Sequence, residues 1–343
     1  MASIQDYKPI IMESLDILRK REISKKETFK ARAYAKVISQ LKYHSDPITN
    51  LDDLESIQGI GEKISKKIKE ILETGELKVA ERAKELYPIE ALDALQNIYG
   101  VGPSKANQLI ASGITSIPQL RDELEKNSKI LNDKQRIGLK YYEDLLERIP
   151  RNEMEQHRDH ILGSIPEEMK EFQTELVGSF RRNAESSGDI DVLIRVPKDI
   201  PSKMVCQYFY DYVQHLIDRK YIIEILALGE HKCMAICRIG GGKARRLDLL
   251  MTPDEEYAYS LLYFTGSDRF NVGFRQHALQ KGYTLNEHRL TPLNDDVPTP
   301  SYMETEKDIF RFLKLRYIDP SQRVDNKQII PVVYKPKVHQ SSP

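Results

Sequence analysis

Two acids at the mouth of an apolar run constrain this chain more than any other feature. In "GSFRRNAESSGDIDVLI", residues 178–194, Asp189 and Asp191 lead directly into a β-branched, apolar stretch at 192–196. The pattern predicts a strand with Val192, Ile194 and Val196 alternating with Leu193, and strand alternation puts Asp189 and Asp191 on one face. Two carboxylates side by side repel each other and resist burial. A divalent cation removes that penalty, and Mg2+ takes a few carboxylates plus phosphate oxygens.

An isolated Asp-x-Asp is usually a solvated strand end, but here the surroundings favour metal chemistry. A third acid, Asp248 in "ARRLDLLM", sits in another short apolar run. Three carboxylates from adjacent strands can hold two metal ions, which activate an attacking oxygen and stabilise a leaving phosphate. Gly178-Ser179 can form a tight turn that offers N–H and hydroxyl groups to a triphosphate. Arg181 or Arg182 can add bidentate charge, and Gly188 lets phosphates approach the backbone.

The first half of the chain reads differently. Ile10, Ile11, Leu15 and Leu18 recur at helical spacing, as do Ala33, Val37, Ile38 and Leu41; Pro47 marks a break, and helical pattern resumes over 51–146. Within it, "LESIQGIGEKISKKIKEIL" at 54–72 is echoed by "LQNIYGVGPSKANQLIASG" at 95–113. Each copy has an apolar helix end, a tight turn (Gly59-Ile60-Gly61 and Gly100-Val101-Gly102), a lysine and a second helix. The helix starts can hold phosphates without reading bases. The pair resembles helix-hairpin-helix motifs, which grip the DNA backbone. Past Pro150 the pattern predicts strands over 192–196, 221–228, 234–239 and 246–251, a helix over 203–219, and a turn at Gly240-Gly241-Gly242.

Composition narrows the setting. The 52 basic and 52 acidic residues cancel, which leaves a nucleic-acid partner open because charge distribution matters more than its sum. Three cysteines, Cys206, Cys233 and Cys237, are too few and odd in number for a disulfide framework. Cys233 and Cys237 read as strand residues, without a zinc set. No apolar run reaches membrane-spanning length and the N-terminus lacks a signal-peptide pattern, so an intracellular, reducing compartment without membrane partners is expected.

Over residues 10–323 the motifs "GSFRRNAESSGDIDVL", "RRLDLL", "LYFTGSDRFN" and "EKDIF", with both hairpins in order, resemble the family X DNA polymerases of the beta type. The resemblance implies an α+β multidomain chain: a helical lyase-like domain with the first hairpin over 1–90, a helical DNA-binding subdomain with the second over 91–150, a nucleotidyltransferase palm over 151–260, a nucleotide-selection subdomain over 261–324 and a loose tail over 325–343. It implies that Asp189 and Asp191 bind two Mg2+ ions, replaceable by Mn2+. Asp248 would bind the catalytic ion and take the primer 3′-hydroxyl proton, with Arg246 orienting the primer end. Arg151, Ser179, Arg182, Ser187 and Gly188 would contact the triphosphate; Tyr263, Phe264 and Gly266 would wall the sugar; Asp268 and Asn271 would meet the base; Arg275 would reach the template side.

In the helical part the resemblance places a Schiff-base lysine at Lys67, with Lys30, Tyr34 and Lys63 around a 5′-phosphate. A lysine near other cations loses basicity and becomes nucleophilic. Phe29 and Val79 stand where basic or polar phosphate contacts are expected, and Val272 and Phe274 depart near the template base. Backbone carbonyls of Glu55, Ile57 and Ile60, and of Gln96, Ile98 and Val101, would hold Na+ or K+. The expected activity is templated filling of short gaps in base excision repair, with 5′-deoxyribose phosphate lyase activity. The partners would be gapped or nicked double-stranded DNA and dNTP, and the protein a monomer. It would be nuclear in a eukaryotic cell and otherwise cytoplasmic or in a virion. A template-independent nucleotidyltransferase and a non-catalytic DNA-binding scaffold are the alternatives.

Overall fold

The computed structural model describes residues 5–25 and 27–332, in two compact units, Met1–Leu146 and Glu147–Pro343. The first is helical. Helices α1 (Lys8–Ser24), α2 (Thr28–Tyr43), α3 (Glu62–Thr74) and α4 (Lys78–Leu86) close on one core that includes Ile11, Leu15, Leu18, Val37, Leu41, Ile64, Ile68 and Ile71. Helices α5 (Ile89–Gln96), α6 (Pro103–Ala111), α7 (Ile117–Lys126), α8 (Asp133–Lys140) and α9 (Tyr142–Leu146) enclose another around Leu92, Leu95, Val101, Leu109, Leu120 and Leu139. The cores change over between Ile89 and Leu92. Ala33, expected on the apolar stripe of α2, is exposed, and Ala31 is buried in its place.

The first hairpin does not open on a full helix. A short 3-10 turn, Asp52–Leu54, precedes Gly59 because the Asp53 carboxylate accepts from the Thr49 and Asn50 N–H groups (2.8 and 3.1 Å) and the Thr49 hydroxyl (2.8 Å). Side chains that bond nearby backbone in this way compete with helical hydrogen bonding.

In the second unit, β1 (Ile149–Pro150) leads into α10 (Arg151–Leu162), β2 (Gln173–Leu176), α11 (Gly178–Arg181), β3 (Ser186–Ser187), β4 (Ile190–Val196), α12 (Ser202–Asp218), β5 (Ile222–Leu228), β6 (Lys232–Cys237) and β7 (Arg245–Pro253). Five strands make one sheet in the order β2-β4-β7-β6-β5, with β4 and β7 parallel and the other pairs antiparallel. Both faces are covered. Val192 and Ile194 of β4 pack with Val205, Phe209, Tyr212, Val213 and Leu216 of α12, while Leu193 packs with Tyr257 and Leu261 of α13 (Asp254–Thr265). That two-sided burial explains why β4 is apolar nearly throughout.

α14 (Asp268–Gln280), the hairpin β8 (Tyr283–Leu285) and β9 (Leu290–Pro292), and α15 (Glu306–Phe312) form the last layer around Phe270, Phe274, Ile309 and Phe310. α13, which begins at Asp254 and packs on the sheet through Tyr257 and Leu261, runs across the expected border at 260/261. One expectation is corrected. The tail expected from 325 is docked as far as it is described: Ile329 and Ile330 pack on the last core, Pro331 bridges Leu315, and the Arg316 N–H donates to the Ile330 carbonyl (2.9 Å). Apolar residues just past 328 supply burial that a polar reading of "YKPKVHQSSP" overlooks; residues 333–343 lie outside the described residues.

Candidate active site

Parallel pairing sets Asp191 of β4 directly opposite Asp248 of β7, and Asp189 lies just before β4. Arg246 spans the group, its Nη2 3.0 Å from Asp248 Oδ2 and 3.4 Å from Asp189 Oδ2. One guanidinium does not balance three acids. Burial, then the charges of Asp189 and Asp248, push the Asp191 carboxyl up to about 7. Asp248 is also raised, chiefly by burial. Asp248 Oδ1 is buried without a hydrogen-bond partner. An orphaned carboxylate oxygen beside two more acids is the donor set of a hard divalent cation, so the residues fit the metal that the sequence implies.

The neighbouring turn is built against this cluster. Gly178 takes φ +61°, and a Cβ there would run into the Asp191 carboxylate. The Val177 N–H donates to the Asp191 carbonyl (2.9 Å), tying the turn to β4. Ser179 Oγ donates to Ser187 Oγ (2.8 Å). Gly188 is exposed, and a Cβ there would come no nearer than 4.0 Å to its closest neighbour, Arg148 Nη1. The two arginines, interchangeable in the sequence, separate here. Arg181 is bound by Glu175 (2.8 Å), the Thr265 hydroxyl (2.6 Å) and Glu306 (2.9 Å), which makes it a structural tie. Arg182 donates to the Thr265 carbonyl (2.6 Å), and burial lowers its pKa. Arg151 donates to the Phe180 and Ala184 carbonyls (3.2 and 3.3 Å) and lies over the Phe180 ring, so it braces the same turn.

The last layer faces this turn through Gly266, whose Cβ position would lie 3.1 Å from Arg182 Nη1. Tyr263 and Phe264 are half-buried and meet edge to face at 5.1 Å, unlike the buried Tyr257 and Tyr259 of the same helix. Asn271 Nδ2 donates to the Tyr263 carbonyl (2.7 Å), and the Arg275 guanidinium lies over the Tyr263 ring (4.9 Å). Asp268 is exposed at the start of α14, where the Ser267 hydroxyl caps the helix. Val272 is exposed; Phe274 is buried against Phe310 at 4.8 Å, so its bulk fills core.

In the helical unit, Lys67 is half-buried on α3 and its Nζ donates to the Lys63 carbonyl (3.1 Å). Burial lowers its pKa, followed by the charges of Arg21 and Lys63. Arg21 escaped the sequence reading because α1 brings it in from far along the chain. Tyr34 also feels Arg21, while Lys30, one turn earlier on α2, is exposed and pairs with Glu27 (3.4 Å). Phe29 is 85% exposed. At the hairpin tips Gly59 (φ +96°) and Gly100 (φ +81°) adopt a conformation that favours glycine, and Gly61 and Gly102 cap α3 and α6. All four are exposed, above the buried Ile57, Ile98 and Val101. Glu55 is exposed, Ile60 is half-buried, and the Gln96 amide donates to the Leu92 carbonyl (3.2 Å). Gly138 was missed: it packs on the backbone of Tyr99 beside the second tip.

No helix among the described residues is long and apolar enough to cross a membrane. Domain models match in succession: a helix-hairpin-helix domain over 7–77, the fingers domain of DNA polymerase lambda over 93–146, the DNA polymerase beta palm over 148–254 and the DNA polymerase beta thumb over 260–324. The chain is 32% identical over 337 residues to DNA polymerase lambda of Rattus norvegicus, covering 93% of this chain and 56% of that protein. It is 28% identical to DNA polymerase lambda of Arabidopsis thaliana (85% and 57% covered) and 26% identical to the DNA polymerase type-X family protein pol4 of Schizosaccharomyces pombe (91% and 63%). It thus spans little more than half the length of these relatives. With palm, thumb, fingers and hairpin models in this order, the chain belongs to family X of the DNA polymerases.

Proposed function

We propose that the chain is a DNA-directed DNA polymerase that fills short gaps during base excision repair, with a 5′-deoxyribose phosphate lyase activity in its helical unit. The observation that carries the polymerase reading is the register of Asp191 opposite Asp248, with Asp189 beside them. Two Mg2+ ions, or Mn2+, would be held by these acids, Asp248 serving one of them; when bound they acidify the primer 3′-hydroxyl and steady the pyrophosphate that leaves. Asp248 Oδ1, buried without a hydrogen-bond partner, would accept the hydroxyl proton. Arg246 holds Asp248 in position. Ser179, Arg182, Ser187 and Gly188 cradle the triphosphate of a dNTP, with Arg151 bracing their turn. Tyr263, Phe264 and Gly266 wall the sugar, Asp268 and Asn271 meet the base, and Arg275 reads the template side.

For the lyase, Lys67 Nζ attacks the aldehyde carbon of the abasic sugar and water leaves as the imine forms. Loss of a proton from the adjacent carbon then breaks the C3′–O bond, and hydrolysis frees the lysine. Lys30, Tyr34 and Lys63 hold the 5′-phosphate. The hairpin carbonyls of Glu55, Ile57, Ile60, Gln96, Ile98 and Val101 hold Na+ or K+ against the DNA backbone. A monomer acting on gapped or nicked DNA, in the nucleus of a eukaryotic cell, completes the reading.

The test is incorporation on a one-nucleotide gap bearing a 5′-deoxyribose phosphate, run beside a primer without template. Insertion only with template, abolished by Asp248→Ala while gapped-DNA binding persists, is expected. Equal extension without template favours a template-independent transferase. Mg2+-dependent nucleotide binding without incorporation favours a scaffold.

A further inference from the structure

On the sheet unit, away from the three aspartates, the chain assembles a second and chemically different donor set. Cys206 of α12 meets Glu230 and His231 of the β5–β6 turn, with one ligand atom from each lying within 4.8 Å of the others. A thiolate, an imidazole and a carboxylate are the ligands Zn2+ takes, at about 2.0–2.3 Å and in tetrahedral geometry. The aspartate centre offers oxygen alone and suits hard cations; sulfur and nitrogen select a softer d-block ion.

The backbone that carries these ligands is held. The β5–β6 turn is closed by the Gly229 N–H donating to the Lys232 carbonyl (2.8 Å), and the His231 carbonyl accepts from the Met251 N–H (2.8 Å). Val205 and Phe209 fix α12 in the core on either side of Cys206. Cys206 is half-buried while Glu230 and His231 are exposed, so an ion can enter from solvent. Cys233 and Cys237 are buried, and burial pushes their thiols up to about 12, which leaves Cys206 as the thiol available to a metal.

We propose that Cys206, Glu230 and His231 bind one d-block divalent cation, Zn2+ foremost, with water in the fourth position. Forming the sulfur–metal bond releases the Cys206 thiol proton to solvent. The bound ion clips α12 to the turn at the edge of the sheet and stabilises that layer. The site shares no residue with the aspartate centre, so the two readings stand or fall separately.

Co2+ titration of the reduced full chain in excess Mg2+ tests it. A near-ultraviolet thiolate-to-Co2+ band should appear with the visible bands of tetrahedral Co2+, saturate at one ion per chain, and be erased by Zn2+. Cys206→Ser should lose the thiolate band, His231→Ala should weaken binding, and Zn2+ should raise the Tm of the parent chain but not of Cys206→Ser. Absence of the band from the parent chain, its persistence in Cys206→Ser, or equal Zn2+ shifts in both proteins would overturn the site.

Discussion

A methyl group at position 178 would strike the Asp191 carboxylate, in a backbone conformation of φ +61° that other residues adopt at a penalty of about 1–2 kcal/mol. Gly178→Ala should therefore keep the fold yet lower single-nucleotide incorporation by roughly 100-fold, the effect of displacing a reacting group by about 1 Å. Near-normal turnover with an unchanged circular dichroism melt would show that Asp191 need not be held there. The same carboxyl makes a pH prediction. Its pKa is raised from 3.8 to about 7 by burial and two acidic neighbours. A raised carboxyl favours the fold at pH below its unfolded value and loses that contribution as pH climbs through its folded value. In EDTA, Asp191→Asn should accordingly melt above the parent chain at pH 8, with the difference vanishing toward pH 4; a pH-independent difference would contradict the charge crowding.

At the scale of elements, close approach between backbones decides what a residue does. Gly→Ala inside a helix normally gains up to about 1 kcal/mol. In α8 the sign reverses, because a Cβ at Gly138 would lie 2.5 Å from the Tyr99 carbonyl oxygen and 2.8 Å from its nitrogen. Gly138→Ala should destabilise the helical unit by about 1–3 kcal/mol and loosen the second hairpin tip; urea unfolding that shows a gain would mean the elements part easily. The Arg181 tie works on the same scale. Glu306 of α15 accepts from both Arg181 (2.9 Å) and the buried Arg323 (2.5 Å), joining α11, α15 and the segment after it. Nothing local in "GSFRR" distinguishes Arg181 from its neighbour, since the α15 partner that separates them lies more than a hundred residues on.

At the scale of the whole molecule, the three aspartates and Lys67 belong to separate units with separate cores. Lys67→Ala should remove most borohydride-trapped DNA adduct and spare gap filling, while Asp248→Ala does the reverse; full trapping in the Lys67 variant would assign the lyase step to another lysine. The two hairpin turns and the strand-heading acids were legible in the sequence, because each is a local pattern of glycine conformation or charge; Pro150, expected to close the helical region, is instead followed at once by the helix Arg151–Leu162. Only tertiary structure decided that Asp191 lies opposite Asp248, that the Arg21 charge bears on Lys67, that Arg181 is a tie, that residues 325–332 dock, and that Cys206 meets His231. The physical reason is that local patterns dictate what each segment can become. Which distant side chains share a charge, an ion or a buried face is settled when sheet register and helix packing close together.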